Sequence, residues 1–206
     1  MTFTEQEINR LEESLKSRMS KWRYAHAVGV KKSAKYLGGL LLPELTSELC
    51  AAALLHDVSK ELSDDEQRRL IQEYSIDIVP DDWNSPGVIH SFTAASVIAR
   101  DFPEFATENV LSAVDCHTLG KPDMSLFDKI IYISDYIEEN RTYALCVRVR
   151  DFLLSGFGEL SYSDKLLRLD RAIVMSIDLN VERLVGEGRA VNKRMLLTRE
   201  AIAAKN

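Results

Sequence analysis

The sequence has no CxxC pair, no long apolar run and no basic excess, and each lack removes a class of protein. Its three cysteines, Cys50, Cys116 and Cys146, are odd in number and widely spaced. A disulfide framework is therefore not the organising device, and a reducing compartment is expected. The longest uncharged apolar run, Leu49 to Leu55, falls far short of the roughly 20 residues that a membrane span needs. The N-terminus, Met1-Thr-Phe-Thr-Glu-Gln-Glu, has neither the basic start nor the apolar core of a signal peptide, so a soluble cytoplasmic protein is expected. Lys and Arg total 26 against 32 Asp and Glu, a formal charge of -6, which disfavours nonspecific binding to nucleic acid or anionic lipid. Any polyanion recognised here must be met by local positive charge.

Runs of alternating apolar and polar β-branched residues are also missing, and helical periodicity takes their place. An all-α fold follows. A first amphipathic helix is expected from about Thr4 to Ser17 and a second from Trp22 to about Leu40, broken by Gly38-Gly39 and Pro43. Thr46 or Ser47 would cap a third, Glu48 to His56, whose apolar content on nearly every side marks a central buried helix. Ser63 opens a short helix to about Tyr74, and Asp77 to Asn84 reads as a loop. Ser85-Pro86 starts a helix to about Asp101, and Thr107 starts one that ends near His117, before Gly120-Lys-Pro122. Ser125 with Asp128 makes a capping box for a helix to about Glu139. Beyond Gly156 and Gly158, Leu166, Leu169, Ile173, Ile177 and Leu184 mark a long amphipathic helix, and Thr198 to Lys205 a last short one. The 206 residues fit one domain, with a core at about 21–150 and a C-terminal helical extension at about 159–206.

Chemistry concentrates in the histidines. All four, His26, His56, His90 and His117, fall in one ordered series with Asp57 beside His56 and Asp135 inside an apolar run. Taken singly, each has a plain reading as a packing or surface residue. Taken together, they come from successive helices and stand near helix ends or on inward faces, the way bundles build metal sites. Imidazole and carboxylate suit iron, manganese or zinc. Cys116 beside His117 has no second sulfur nearby, which argues against a thiolate ligand or nucleophile.

Five segments narrow the reading: Arg23-Tyr-Ala-His26, Leu54-Leu-His-Asp-Val-Ser-Lys-Glu61, His117-Thr-Leu-Gly-Lys-Pro122, Met124-Ser125 and Lys129-Ile-Ile-Tyr-Ile-Ser-Asp-Tyr-Ile-Glu-Glu-Asn-Arg141. Together they resemble the HD superfamily of metal-dependent phosphohydrolases and, within it, the YqeK family of symmetrical bis(5'-nucleosyl)-tetraphosphatases. The resemblance covers about Lys21 to Arg150. It implies an HD helical bundle, iron as cofactor with manganese or another divalent ion able to substitute, and cleavage of diadenosine tetraphosphate into two molecules of ADP. No nucleotide-contacting motif of that family can be placed in Val181 to Asn206.

On that resemblance His26, His56, Asp57 and Asp135 would hold a first ion. Asp57 could bridge to a second ion, held by His90 and His117, or these two histidines would instead contact phosphate. Lys60 is either a phosphate-binding cation near the reaction or a solvated lysine, and Arg141 offers a planar fork for phosphoryl oxygens. Thr118 offers a hydroxyl to phosphate or caps its helix. Arg23 orients Asp57, contacts phosphate or makes a surface ion pair, and Lys121 is a further phosphate candidate. Two other functions share these ligands: an HD phosphohydrolase for another nucleotide, such as a deoxynucleoside triphosphate or a guanosine alarmone, and a noncatalytic nucleotide sensor. The apolar faces of the terminal helices leave room for a homodimer.

Overall fold

The computed structural model describes residues 3–204, except for the side chain of Pro86. Eleven α-helices follow one another with no strand among the described residues. They are α1 (Glu5–Leu15), α2 (Lys21–Leu41), α3 (Thr46–Leu55), α4 (Asp64–Glu73), α5 (Pro80–Trp83) and α6 (Ile89–Asp101), then α7 (Glu108–Cys116), α8 (Leu126–Ile137), α9 (Ala144–Leu154), α10 (Tyr162–Gly186) and α11 (Lys193–Ala203). Side-chain caps start most of them. Thr4, Ser63 and Ser125 each form a reciprocal capping box with an acid three residues on, and Ser20, Thr107 and Ser161 cap alone. Such caps satisfy amides that the first turn leaves without partners.

Helix α3 is the hub. Every residue from Leu49 to Leu55 is buried, and α3 packs against α1, α2, α7 and α8. That explains why its apolar residues run around the whole cylinder. Ala51, Ala52 and Ala53 keep it slim, so neighbouring helices approach closely and converge on its C-terminal end. His56 and Asp57 stand at that end.

Several expected boundaries shift. Helix α2 continues through Gly38-Gly39 to Leu41. Gly38 is there for packing, because a Cβ on it would lie 2.5 Å from Leu49 Cδ1. Neither Thr46 nor Ser47 caps α3: the Thr46 hydroxyl donates back to the Pro43 carbonyl, and Ser47 Oγ accepts from the Phe3 amide. Within Asp77–Asn84, expected as a loop, Pro80 starts the single-turn helix α5. Helix α9 was not foreseen. It follows the polar stretch around Arg141 and carries charges on a mixed pattern, so its buried stripe of Cys146, Val149 and Leu153 is thin. Helix α11 begins at Lys193, five residues before Thr198, because Asn192 caps it; the expected end at Lys205 lies outside the described residues.

Candidate metal centre

The six metal-ligand candidates meet at one place. His26 comes from the second turn of α2, His56 and Asp57 from the end of α3, His90 from the start of α6, His117 from the end of α7 and Asp135 from α8. All but Asp135 are buried, and Asp135 is partly open to a cavity of about 440 Å³. Three overlapping groups, His26–His56–Asp57, His56–His117–Asp135 and Asp57–His90–His117, are each close enough to share a cation.

Two donor sets can be read from the distances. In the first, His26 Nε2 lies 3.3 Å from His56 Nε2 and 3.0 Å from Asp135 Oδ1, and Asp57 Oδ2 lies 3.3 Å from His56 Nε2. In the second, Asp57 Oδ1 lies 2.9 Å from His90 Nε2, which is 3.0 Å from His117 Nε2. The two oxygens of Asp57 thus face different sets, the arrangement a bridging carboxylate needs.

Hydrogen bonds behind the rings set their tautomers. His56 Nδ1 donates to the Ala53 carbonyl at 2.7 Å, His117 Nδ1 to the Val114 carbonyl at 2.6 Å and His26 Nδ1 to Glu138 Oε1 at 3.2 Å. Each leaves the Nε2 lone pair turned inward, as in metal-ligating histidines. Lone pairs and carboxylates without enough protons between them form a cluster that fits a divalent cation. His90 differs, because its Nδ1 lies 3.0 Å from Lys60 Nζ.

The electrostatics agree. Burial alone would raise the Asp57 carboxyl, but His56, His117 and His90 hold it well below the usual carboxylate range. Asp135 is likewise held low, against burial, by Arg141 and His26. Burial pulls His90 down to about 4 against the attraction of Asp57, so this ring is neutral and available as a ligand.

Cations border the same cavity. Arg23 pairs with Asp57 and Arg141 with Asp135, and both guanidiniums keep a buried Nε–H without a protein partner. Lys60 donates to the Gly87 carbonyl at 2.9 Å at the edge of the centre. The Thr118 hydroxyl donates to Ser91 Oγ at 3.1 Å and lines the cavity, so helix capping is not its role. Lys121 turns elsewhere, to Ser112 and Asp128, and does not line the cavity. Cys116 stays outside the ligand set, as expected: its thiol bonds the Ala113 carbonyl and burial pushes its pKa up.

The sequence reading missed three supporting residues. Glu138 is buried and receives the amide and side chain of Asn140 on Oε2 while Oε1 holds His26. Gly29, one turn after His26, makes room for it, since a Cβ there would sit 2.2 Å from Glu138 Oε2. Arg150 of α9 donates to the carbonyls of Ile137, Glu138 and Arg141 and so ties down the end of α8. Glu138 sits three residues after Asp135, a spacing that could have flagged it.

Residues 23–140 match the family model for the HD domain. The chain belongs to the HD-domain family. It is 34% identical over 139 residues to a symmetrical bis(5'-nucleosyl)-tetraphosphatase of Halalkalibacterium halodurans, covering 66% of this chain and 71% of that one. It is 28% identical over 189 residues to the enzyme of the same name from Bacillus subtilis, covering 89% and 91%. Its fold is similar over the whole of both chains to a predicted HD superfamily hydrolase involved in NAD metabolism from Clostridium acetobutylicum, with a TM-score of 0.81 and 25% identity. The HD pair that gives the family its label is His56-Asp57, and Asp57 has the most neighbours in the centre.

Proposed function

We propose that this HD-domain protein hydrolyses diadenosine tetraphosphate and related dinucleoside polyphosphates symmetrically, releasing two nucleoside diphosphates. The observation that carries the reading is a proton-poor cluster of four imidazoles and two carboxylates at the floor of a cavity bordered by Lys60, Arg23 and Arg141. Its likeness to relatives named for that reaction supports the substrate. His26, His56, Asp57 and Asp135 would hold one ion, and Asp57, His90 and His117 a second. Bound divalent iron, or manganese or another divalent ion in its place, supplies Lewis acidity and makes water a competent nucleophile at neutral pH.

The chain's own residues do the rest. Asp57 fixes the spacing of the two donor sets through its two oxygens. Lys60 and Arg141 meet the charge on the polyphosphate, Lys60 as a point charge and Arg141 through a fork with an unused Nε–H. Thr118 adds a hydroxyl, and His90 and His117 border the phosphate path. Past Arg141 a cavity of about 690 Å³ opens between α8, α9 and α10, where Tyr136, Asn180 and Arg183 would wall in one nucleoside end. Water adds to a phosphorus beside the central bridging oxygen, that P–O bond breaks, and the leaving diphosphate is protonated from solvent.

The acidic charge argues against a nucleic-acid partner. No helix among the described residues is long and apolar enough to cross a membrane, which is consistent with work in the cytoplasm. Val185, Leu196 and Leu197 stay exposed on the two C-terminal helices, a surface suited to a second copy of the chain. The test is comparative turnover by protein loaded with iron. Diadenosine tetraphosphate should be preferred over deoxynucleoside triphosphates and guanosine alarmones; preferential release of tripolyphosphate from a triphosphate would replace the reading with a triphosphohydrolase.

A further inference from the structure

We propose that Trp22 is the stacking platform for one of the two bases of the dinucleoside polyphosphate, an inference that rests on the function proposed above. Trp22 lies one helical turn before His26 on the same face of α2, so the helix that sends His26 inward sets the indole at the mouth of the same cavity. The two rings lie nearly parallel, with planes 10° apart and centroids 5.9 Å apart. The Arg23 guanidinium stands 4.7 Å from the indole centroid. Even so, Trp22 is 66% exposed. It therefore contributes little to the core, and much of its flat π-surface is left in water at the mouth of the cavity that Asp57, Asp135 and Arg141 also line.

A symmetrical substrate has two nucleoside ends, and in the function proposed above the cavity lined by Tyr136, Asn180 and Arg183 takes one. The other must leave the centre on a different side. The indole stands about 6 Å along α2 from His26, a span that a ribose bridges between phosphate and base. Aromatic side chains stack on any base, because every base presents a π-face. The platform would thus favour dinucleoside over mononucleotide substrates without selecting strongly among bases. A lesser role is also testable: if Trp22 only seats the Arg23 guanidinium against Asp57, its loss should lower kcat, not weaken substrate capture.

Two readouts separate these cases. With iron-loaded protein and diadenosine tetraphosphate, Trp22→Ala should raise KM about tenfold or more with kcat held, and Trp22→Phe should restore most of the loss. The chain has two tryptophans, so in a Trp83→Phe background the emission of Trp22 alone should be quenched by a methylene-bridged, uncleavable diadenosine tetraphosphate. Wild type that cleaves and binds, with an unchanged KM for Trp22→Ala and no quenching, would overturn the platform alone. A fall confined to kcat would also overturn it in favour of the Arg23 role. Wild type that neither binds nor cleaves the dinucleotide would overturn the proposed function and the platform with it.

Discussion

The Nε2 atoms of His26 and His56 face each other across 3.3 Å, and neither ring can donate over that gap while its Nδ1 proton is given outward to Glu138 or the Ala53 carbonyl. Two lone pairs so close, with Asp57 and Asp135 beside them, need positive charge between them. A proton can supply it: burial disfavours a charged imidazole, but hydrogen bonds to Asp135 and Glu138 prevail and push His26 up to about 9. A divalent ion serves the whole donor set at once.

A shared ion ties the metal content of variants to these side chains. His56→Ala or Asp57→Ala should lose bound metal and turnover together, read by elemental analysis of protein purified without chelators. His90→Ala and His117→Ala should bring the count from two ions toward one, because the Nε2 atoms of both rings face Asp57 Oδ1. A count that stays at one in wild type and in both variants would make these histidines phosphate contacts.

Glu138 should matter almost as much as a ligand. Glu138→Gln is expected to weaken metal binding about 10- to 100-fold in a chelator titration, since the carboxylate orients and polarises His26. Gly29→Ala should produce the same loss indirectly, by driving Glu138 off His26. Equal affinity in both variants would show that His26 is held by other means.

Lys60→Ala and Arg141→Ala should keep their metal and lose rate. Removing one charge aimed at developing phosphate charge is expected to cost about a hundredfold in kcat. Turnover at the wild-type rate would mark both as solvated charges.

Much of this centre was legible in the sequence because its residue types are scarce. Four histidines in 206 residues leave few ways to build an imidazole site, and Asp135 in an apolar run announces a buried partner. Glu138 was harder to see, because its neighbour Glu139 has the same chemistry and only the turn at the end of α8 decides which is buried. Gly29 carried no signal, since its role is the space it leaves. The fold class followed from helical periodicity, whereas α9 and the start of α11 were lost where burial depends on tertiary partners more than on a strong apolar stripe. The Gly38-Gly39 pair misled for a related reason: in α2 Gly38 serves the contact with Leu49, and tertiary packing overrides local propensity.

The attachment of α11 gives a stability prediction away from the chemistry. Asn192 caps α11 and also donates to Asp82, fully buried, at 3.0 Å. Asn192→Ala should destabilise the protein by about 2–4 kcal/mol, combining a lost cap with a buried carboxylate short of a partner. Chemical denaturation of metal-loaded protein measures it, and a loss below about 0.5 kcal/mol, the range of ordinary surface substitutions, would show that Asp82 is satisfied without Asn192.

The most direct test of the whole account is product chromatography after iron-loaded protein acts on diadenosine tetraphosphate. Cleavage at the central bridge predicts ADP as the sole nucleotide product, with turnover abolished by chelation and restored by the metal. AMP and ATP in equal amounts, or turnover indifferent to chelation in protein shown to be metal-free, would contradict it.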